Sequence, residues 1–184
     1  MSDKPWMAWH NMPVDKTAYK EGLTEAYSRI LNPKPHAGLE IGLGWGVSAE
    51  HFLMHFHESL LIVIDINPEL EARRVLSERY KEQFIYVHPS QCMATNIQFD
   101  WLYIDGSHEY EDVKADLNCY HELLRPGGVM AFDDYNTSVN DRWHYPGVKY
   151  AVDEFLQEQG FLYSPVILPK KSSTGLAFVV KEAG

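Results

Sequence analysis

The stretch LEIGLGWGVSAEHFLMHFHESLLIVIDINPE, residues 39–69, decides how the rest of the chain is read. It opens on a short apolar run and breaks at Gly42, Gly44 and Gly46. It then continues as a helix-like segment and closes on LLIVIDI. An apolar run that does not alternate suits a parallel strand covered on both faces. A strand, a glycine turn, a helix and a second such strand together form one β-α-β unit. Asn67 can cap the next helix, and Pro68 is tolerated at its first position.

The pattern repeats outward from this unit. PELEARRVLSERYKEQ carries opposite charges along a solvated helical face. FIYVH, DWLYID and GVMAFDDY read as three further strands. Between the last two, Val113, Leu117, Tyr120 and Leu124 recur at helical spacing, and RPGG stops that helix. GVKYAVDEFLQEQG predicts a last helix. FLYSPVIL and GLAFVVK flank the polar turn PKKSST as a hairpin, so one of the two runs antiparallel to the sheet. The expected fold class is α/β: a single-domain, doubly wound, mostly parallel seven-stranded sheet with a final antiparallel hairpin strand. Residues 1–36 form a leading helical cover, with a helix over 14–31, and residues 37–184 form the domain.

Composition narrows the partners. With 26 acids against 16 bases the formal charge of the 184 residues is −10. That field disfavours nucleic acid and anionic membrane surfaces and favours small-molecule or protein partners. No apolar run approaches the length of a membrane span, and MSDKPWMAWHNMP lacks the apolar region of a signal peptide. Cys92 and Cys119, without a CxxC pair, are expected to be packing residues of a reduced cytoplasm.

Chemistry collects at the predicted strand ends. Glycines between a first strand and helix let the backbone turn sharply and approach a ligand. A dinucleotide fingerprint would need glycine where Val47 stands. Asp65 closes the second strand, 19 residues past Gly46, where an acid can accept hydrogen bonds from ribose hydroxyls. Asp105, Asp133 and Asp134 end the fourth and fifth strands. Three converging carboxylates repel one another unless a positive group sits between them, and hard oxygen ligands suit Mg²⁺, or Mn²⁺ or Ca²⁺. The alternative is cofactor contact and turn capping. His51 and His55 at i, i+4 spacing have an apolar face to bury and no third ligand nearby in sequence.

The order LEIGLGWG, IVIDINPE, DWLYIDGSHEYEDVKADL, LLRPGG, FDDY, PGVKYAVDEF resembles a class I S-adenosylmethionine-dependent methyltransferase. More narrowly it resembles the macrocin-type O-methyltransferase and cephalosporin-hydroxylase-like group. The resemblance implies that Gly42, Gly44 and Gly46 shape the methionine and ribose pocket. It also implies that Glu40 orients the amino end of the cofactor and that Asp65 binds the ribose. Ile66, Ser90 and Gln91 would flank the adenine, although HPS replaces the usual Gly-Asp before the serine. Asp105 would serve cofactor and metal, Asp133 and Asp134 the metal, and His108 would be the general base. The expected reaction is metal-assisted O-methylation of a small hydroxylated molecule, a sugar or a catechol-like phenol. A metal-free N- or C-methyltransferase, a non-catalytic S-adenosylmethionine-binding module and a nicotinamide dehydrogenase stay open as alternatives. The loop over 135–146, with Asn136, Asn140, Arg142, Trp143, His144 and Tyr145, is expected to select the substrate, alone or with the neighbouring subunit of a homo-oligomer.

Overall fold

Parallel pairing follows from the apolar runs. In the computed structural model, which describes residues 16–28, 34–67, 71–89, 95–135, 146–164, 166–167 and 175–183, β1 (Ala37–Ile41) is buried at every position, and so is β4 (Phe99–Ile104). With β2 (Leu60–Ile64), β3 (Phe84–Val87), β5 (Leu124–Phe132) and β6 (Ala177–Val180) they form one sheet in the order β3-β2-β1-β4-β5-β6. The first five strands run parallel, and β6 pairs with β5 antiparallel. The helices are α1 (Lys16–Ser28), α2 (Val47–His55), α3 (Glu71–Tyr80), α4 (Tyr110–Tyr120) and α5 (Pro146–Gln159). This is the expected doubly wound α/β sheet.

Period-two alternation splits each central strand between two cores. Leu39, Ile41, Ile62, Ile64, Leu102 and Ile104 join Val113, Leu117, Val148 and Val152 of α4 and α5 on one face. Leu61, Val63, Trp101 and Tyr103 join Leu23 and Tyr27 of α1, Phe52 and Leu53 of α2, and Leu76 of α3 on the other. The histidine pair belongs to this second packing. His51 stacks on Tyr27 at 5.4 Å and meets Thr24 Oγ1 at 3.2 Å, joining α2 to α1.

Three expectations are corrected. Among the described residues six strands replace seven, and those of FLYSPVIL form isolated bridges, Tyr163 to Lys181 and Ile167 to Phe178. Ser164 N–H donates to Val180 O and Ile167 N–H to Phe178 O, three residues against two, so the ladder is offset there. Pro165, between them, has no N–H to give. The RPGG stop belongs to β5 as an irregularity: Phe99 faces Leu124, and Trp101 next faces Val129. Cys119 is disulfide-bonded rather than a reduced packing thiol. Sequence spacing says nothing about the distance a fold leaves between two thiols. Cys92, the PKKSST turn and most of the leading segment lie outside the described residues. Among the described residues no helix is long and apolar enough to cross a membrane.

Candidate functional site

The C-terminal ends of β1, β2, β4 and β5 bring five carboxylates to one rim: Glu40, Asp65, Asp105, Asp133 and Asp134. Switch points of this kind, where strand order reverses between β1 and β4, form the ligand crevice of open α/β sheets.

Glu40 is 1% exposed and accepts a 2.5 Å hydrogen bond from Ser48 Oγ, in the first turn of α2. Burial pushes its carboxyl up to about 8; the Ser48 hydrogen bond opposes this, and the charges of Asp133 and Asp65 add to it. Gly42, at φ 89°, lies where a Cβ would stand 2.0 Å from the Asp105 carbonyl oxygen. Only glycine fits there, so the β1–α2 loop is seated directly on the β4–α4 turn. Gly44 has open space around it, and Gly46 caps α2 against Ala72 and Leu76.

Asp65 holds the glycine loop. Its Oδ2 accepts N–H bonds from Leu43 at 2.7 Å and Gly44 at 3.4 Å, and its Oδ1 accepts from Asn67 N–H at 2.7 Å. Ile66, beside it, is 76% exposed. Ser90, Gln91 and the 136–145 part of the expected substrate loop lie outside the described residues.

On the other side of the crevice, Asp105 N–H donates to Ile41 O at 2.8 Å and Asp133 N–H to Ile104 O at 3.1 Å, which carries the parallel ladder one residue past each strand. Burial, then the charges of Asp133, Glu40, Asp134 and Asp65, raise the Asp105 carboxyl well above its ordinary value. Asp133 is pushed up to about 7 by burial and by Asp134, against hydrogen bonds from the Asp134 backbone and from Tyr103. Its Oδ1 is buried without a partner. Asp134 adopts a left-handed φ of 54°, a conformation that Asp tolerates better than most residues. Its Oδ2 meets His108 Nε2 at 3.1 Å. That hydrogen bond raises the His108 pKa; burial opposes it, and the charges of Asp134, Asp133 and Glu109 reinforce it.

One ligand atom from each of Asp105, His108 and Asp134 lies within 4.8 Å of the others. The expected third acid, Asp133, is not a member of this group. Two carboxylate oxygens with an imidazole nitrogen suit Mn²⁺ more readily than Mg²⁺, which favours an all-oxygen shell. The orphaned Asp133 oxygen and the raised carboxyls of Glu40 and Asp105 independently fit a cationic organic ligand. Ser48 and Tyr103 escape the sequence reading. A hydroxyl opening the helix after a glycine turn is a usable signal for Ser48. Nothing in DWLYID separates Tyr103 from an ordinary core aromatic.

The model of a family described as "Methyltransferase domain" matches residues 39–135. A stretch of 67 residues, 36% of this chain, is 40% identical to an uncharacterized protein of Acanthamoeba polyphaga mimivirus and spans 28% of that protein's length. Among solved structures, the O-methyltransferase TomG from Streptomyces achromogenes, in complex with S-adenosylmethionine, superposes with a TM-score of 0.68. It is 18% identical, over 95% of this chain and 85% of that one. An O-methyltransferase from Bacillus cereus in complex with S-adenosylhomocysteine gives 0.66 at 18% identity, over 95% and 86%. At such identity these structures share the fold.

Proposed function

We propose, from the premise that this chain belongs to the methyltransferase-domain family, that it transfers the methyl group of S-adenosylmethionine to a hydroxyl oxygen of a small molecule. The observation that carries the reading is the His108–Asp134 pair, 3.1 Å apart, across the crevice from the glycine loop and Asp65. When bound, the cofactor supplies an electrophilic methyl on a sulfonium sulfur. Glu40, Gly42, Gly44, Gly46 and Asp65, with Ile66, Ser90 and Gln91 toward the adenine, are the proposed cofactor contacts. A sulfonium and an ammonium group placed beside these buried acids would lower the cost of ionising them. Asp105 faces both halves of the crevice and is shared between cofactor and acceptor.

His108 is the proposed general base. With Nε2–H donating to Asp134 Oδ2, Nδ1 carries the lone pair that accepts the hydroxyl proton as oxygen attacks the methyl carbon and the carbon–sulfur bond breaks. Asp134 fixes the ring and stabilises the imidazolium that forms. The reaction is an in-line displacement, so alignment of the two partners does most of the remaining work.

A metal-assisted version is the second reading, favoured by the Asp105, His108 and Asp134 cluster. Those residues, or Asp133 in place of His108 in an all-oxygen set, would hold Mn²⁺ or Mg²⁺. The ion would acidify the acceptor hydroxyl. A sugar or a catechol-like phenol offers the vicinal oxygens such an ion needs.

Calorimetric titration with S-adenosylhomocysteine, followed by radiolabelled methyl transfer to a panel of sugars and phenols with and without chelator, tests both. Binding and chelator-insensitive transfer support the His108–Asp134 version, and chelator-sensitive transfer supports the metal. Failure to bind S-adenosylhomocysteine at high micromolar concentration ends the proposal. Where transfer occurs, His108→Ala is expected to lower kcat about 10²- to 10⁴-fold with the cofactor affinity retained.

A further inference from the structure

The two members of the His108–Asp134 pair arrive on different turns, and α5 touches both. At Gly147, in the first turn of α5, an added Cβ would stand 2.6 Å from the His108 carbonyl oxygen and 2.9 Å from the Tyr110 nitrogen. Both neighbours are backbone, which cannot swing aside as the end of a long side chain can. Any larger residue there must therefore push α5 off the turn that carries His108.

Two polar knots fix α5 in the same place. Tyr135, next in sequence to Asp134, donates its hydroxyl to Asp153 Oδ1 at 2.7 Å. Lys149 Nζ donates to that hydroxyl at 3.0 Å and to Asp153 Oδ2 at 2.7 Å, and it lies 4.5 Å from the Tyr135 ring centre. On the other side, the Tyr110 hydroxyl donates to Glu154, which also accepts from Lys114 Nζ at 2.9 Å. Val148, Ala151, Val152 and Phe155 bury the remaining face against α4 and the sheet. One rigid helix thus grips the turn after β5 and the turn before α4.

We propose that the first half of α5 is the strut that sets the His108–Asp134 geometry, with Gly147 the positioning residue that admits the helix close enough to do so. The inference rests on the methyltransferase reading only for its consequence in catalysis. The geometry concerns the chain alone. A displacement of a few tenths of an ångström acts first on residues 108–110, which Gly147 touches, and reaches the glycine loop only through Asp105 and Gly106, on which Gly42 is seated. Base placement is therefore expected to change more than cofactor binding.

The test uses the full chain labelled with ¹⁵N. Imidazole ring-nitrogen signals are recorded by long-range proton–nitrogen correlation, with His108 assigned by its loss in His108→Ala. S-adenosylhomocysteine affinity is measured in parallel by calorimetry. In folded Gly147→Ala the His108 signals are expected to shift while the affinity stays within about threefold of wild type. With any acceptor found, kcat falls about tenfold to a hundredfold and KM for S-adenosylmethionine holds. Unmoved His108 signals in a folded Gly147→Ala overturn the strut. Should that variant fail to fold, Tyr135→Phe removes one hydroxyl from the knot beside Asp134 and is read by the same shift, present or absent. A wild-type protein that does not bind S-adenosylhomocysteine sinks the methyltransferase reading instead, and the His108 spectrum still decides the positioning.

Discussion

Asp100 and Asp105 stand on the same strand, one in its second position and one just past its end, and the fold treats them in opposite ways. Asp100 is 2% exposed. Its Oδ2 accepts N–H bonds from His36 at 2.6 Å and Ala37 at 3.0 Å, and Arg125 pairs with its Oδ1. Burial alone would raise this carboxyl, but the Ala37, Arg125 and His36 hydrogen bonds outweigh it and hold the acid below its ordinary value. Asp105 is surrounded by other acids, and both burial and their charges push it up. Asp100 therefore stabilises the chain in its charged form, whereas the charged form of Asp105 is disfavoured by its surroundings.

The contrast can be broken most forcefully at Asp100. Asp100→Ala leaves Arg125 and two backbone N–H groups without their acceptor and is expected to cost about 3–5 kcal/mol in urea unfolding. A loss under 1 kcal/mol would put the two acids in one class. Glu40→Gln comes next and has the opposite sign. A carboxyl raised from 4.5 to about 8 takes up protons on folding, so it lowers stability as pH climbs through that window. The substitution is expected to flatten the decline of the ligand-free melting temperature between these values and to stabilise by about 2–3 kcal/mol near pH 8. Asp100 behaves inversely, since its stabilisation is present above its ordinary value and lost as pH falls through the depressed one.

Asp105→Asn is the sharper comparison with smaller effects. It is expected to stabilise the ligand-free protein by about 1–2 kcal/mol and to weaken S-adenosylhomocysteine about tenfold in calorimetry. Destabilisation would mean that its charge is already satisfied within the chain. Smallest of all, Ile66→Ser should leave the melting temperature unchanged, because the side chain is largely exposed, and should weaken the cofactor about three- to tenfold.

Legibility followed the same division. β1, β2 and β4 are unalternating apolar runs, and burial on both faces is the physical cause of that pattern, so the parallel sheet could be read directly. The fate of FLYSPVIL could not, because its apolar content alone looks like a strand, whereas its described residues make isolated bridges. At the site, residue types were visible and directions were not. Asp133 and Asp134 are identical in sequence terms, yet their carboxylates find different partners. One carboxylate meets Tyr103 and the other His108. Gly42 reads as a place for a ligand to approach, and the close neighbour turns out to be the Asp105 backbone. The contribution of Gly147 depends on a contact with a turn nearly forty positions earlier, for which no local pattern exists.

The sheet order has a consequence in time. β1 and β4 are neighbours, but more than fifty residues separate them in the chain, while β1 with β2, β2 with β3 and β4 with β5 are successive β-α-β partners. Shorter closures cost less entropy, so two half-sheets can form before the central seam joins them. Glu40 and Asp65 lie on one half, and Asp105, His108 and Asp134 on the other. The crevice thus lies along the seam that needs the longest chain closure. A ligand that bound only the joined halves would clamp that seam, and its stabilisation is expected to show mainly as slower unfolding.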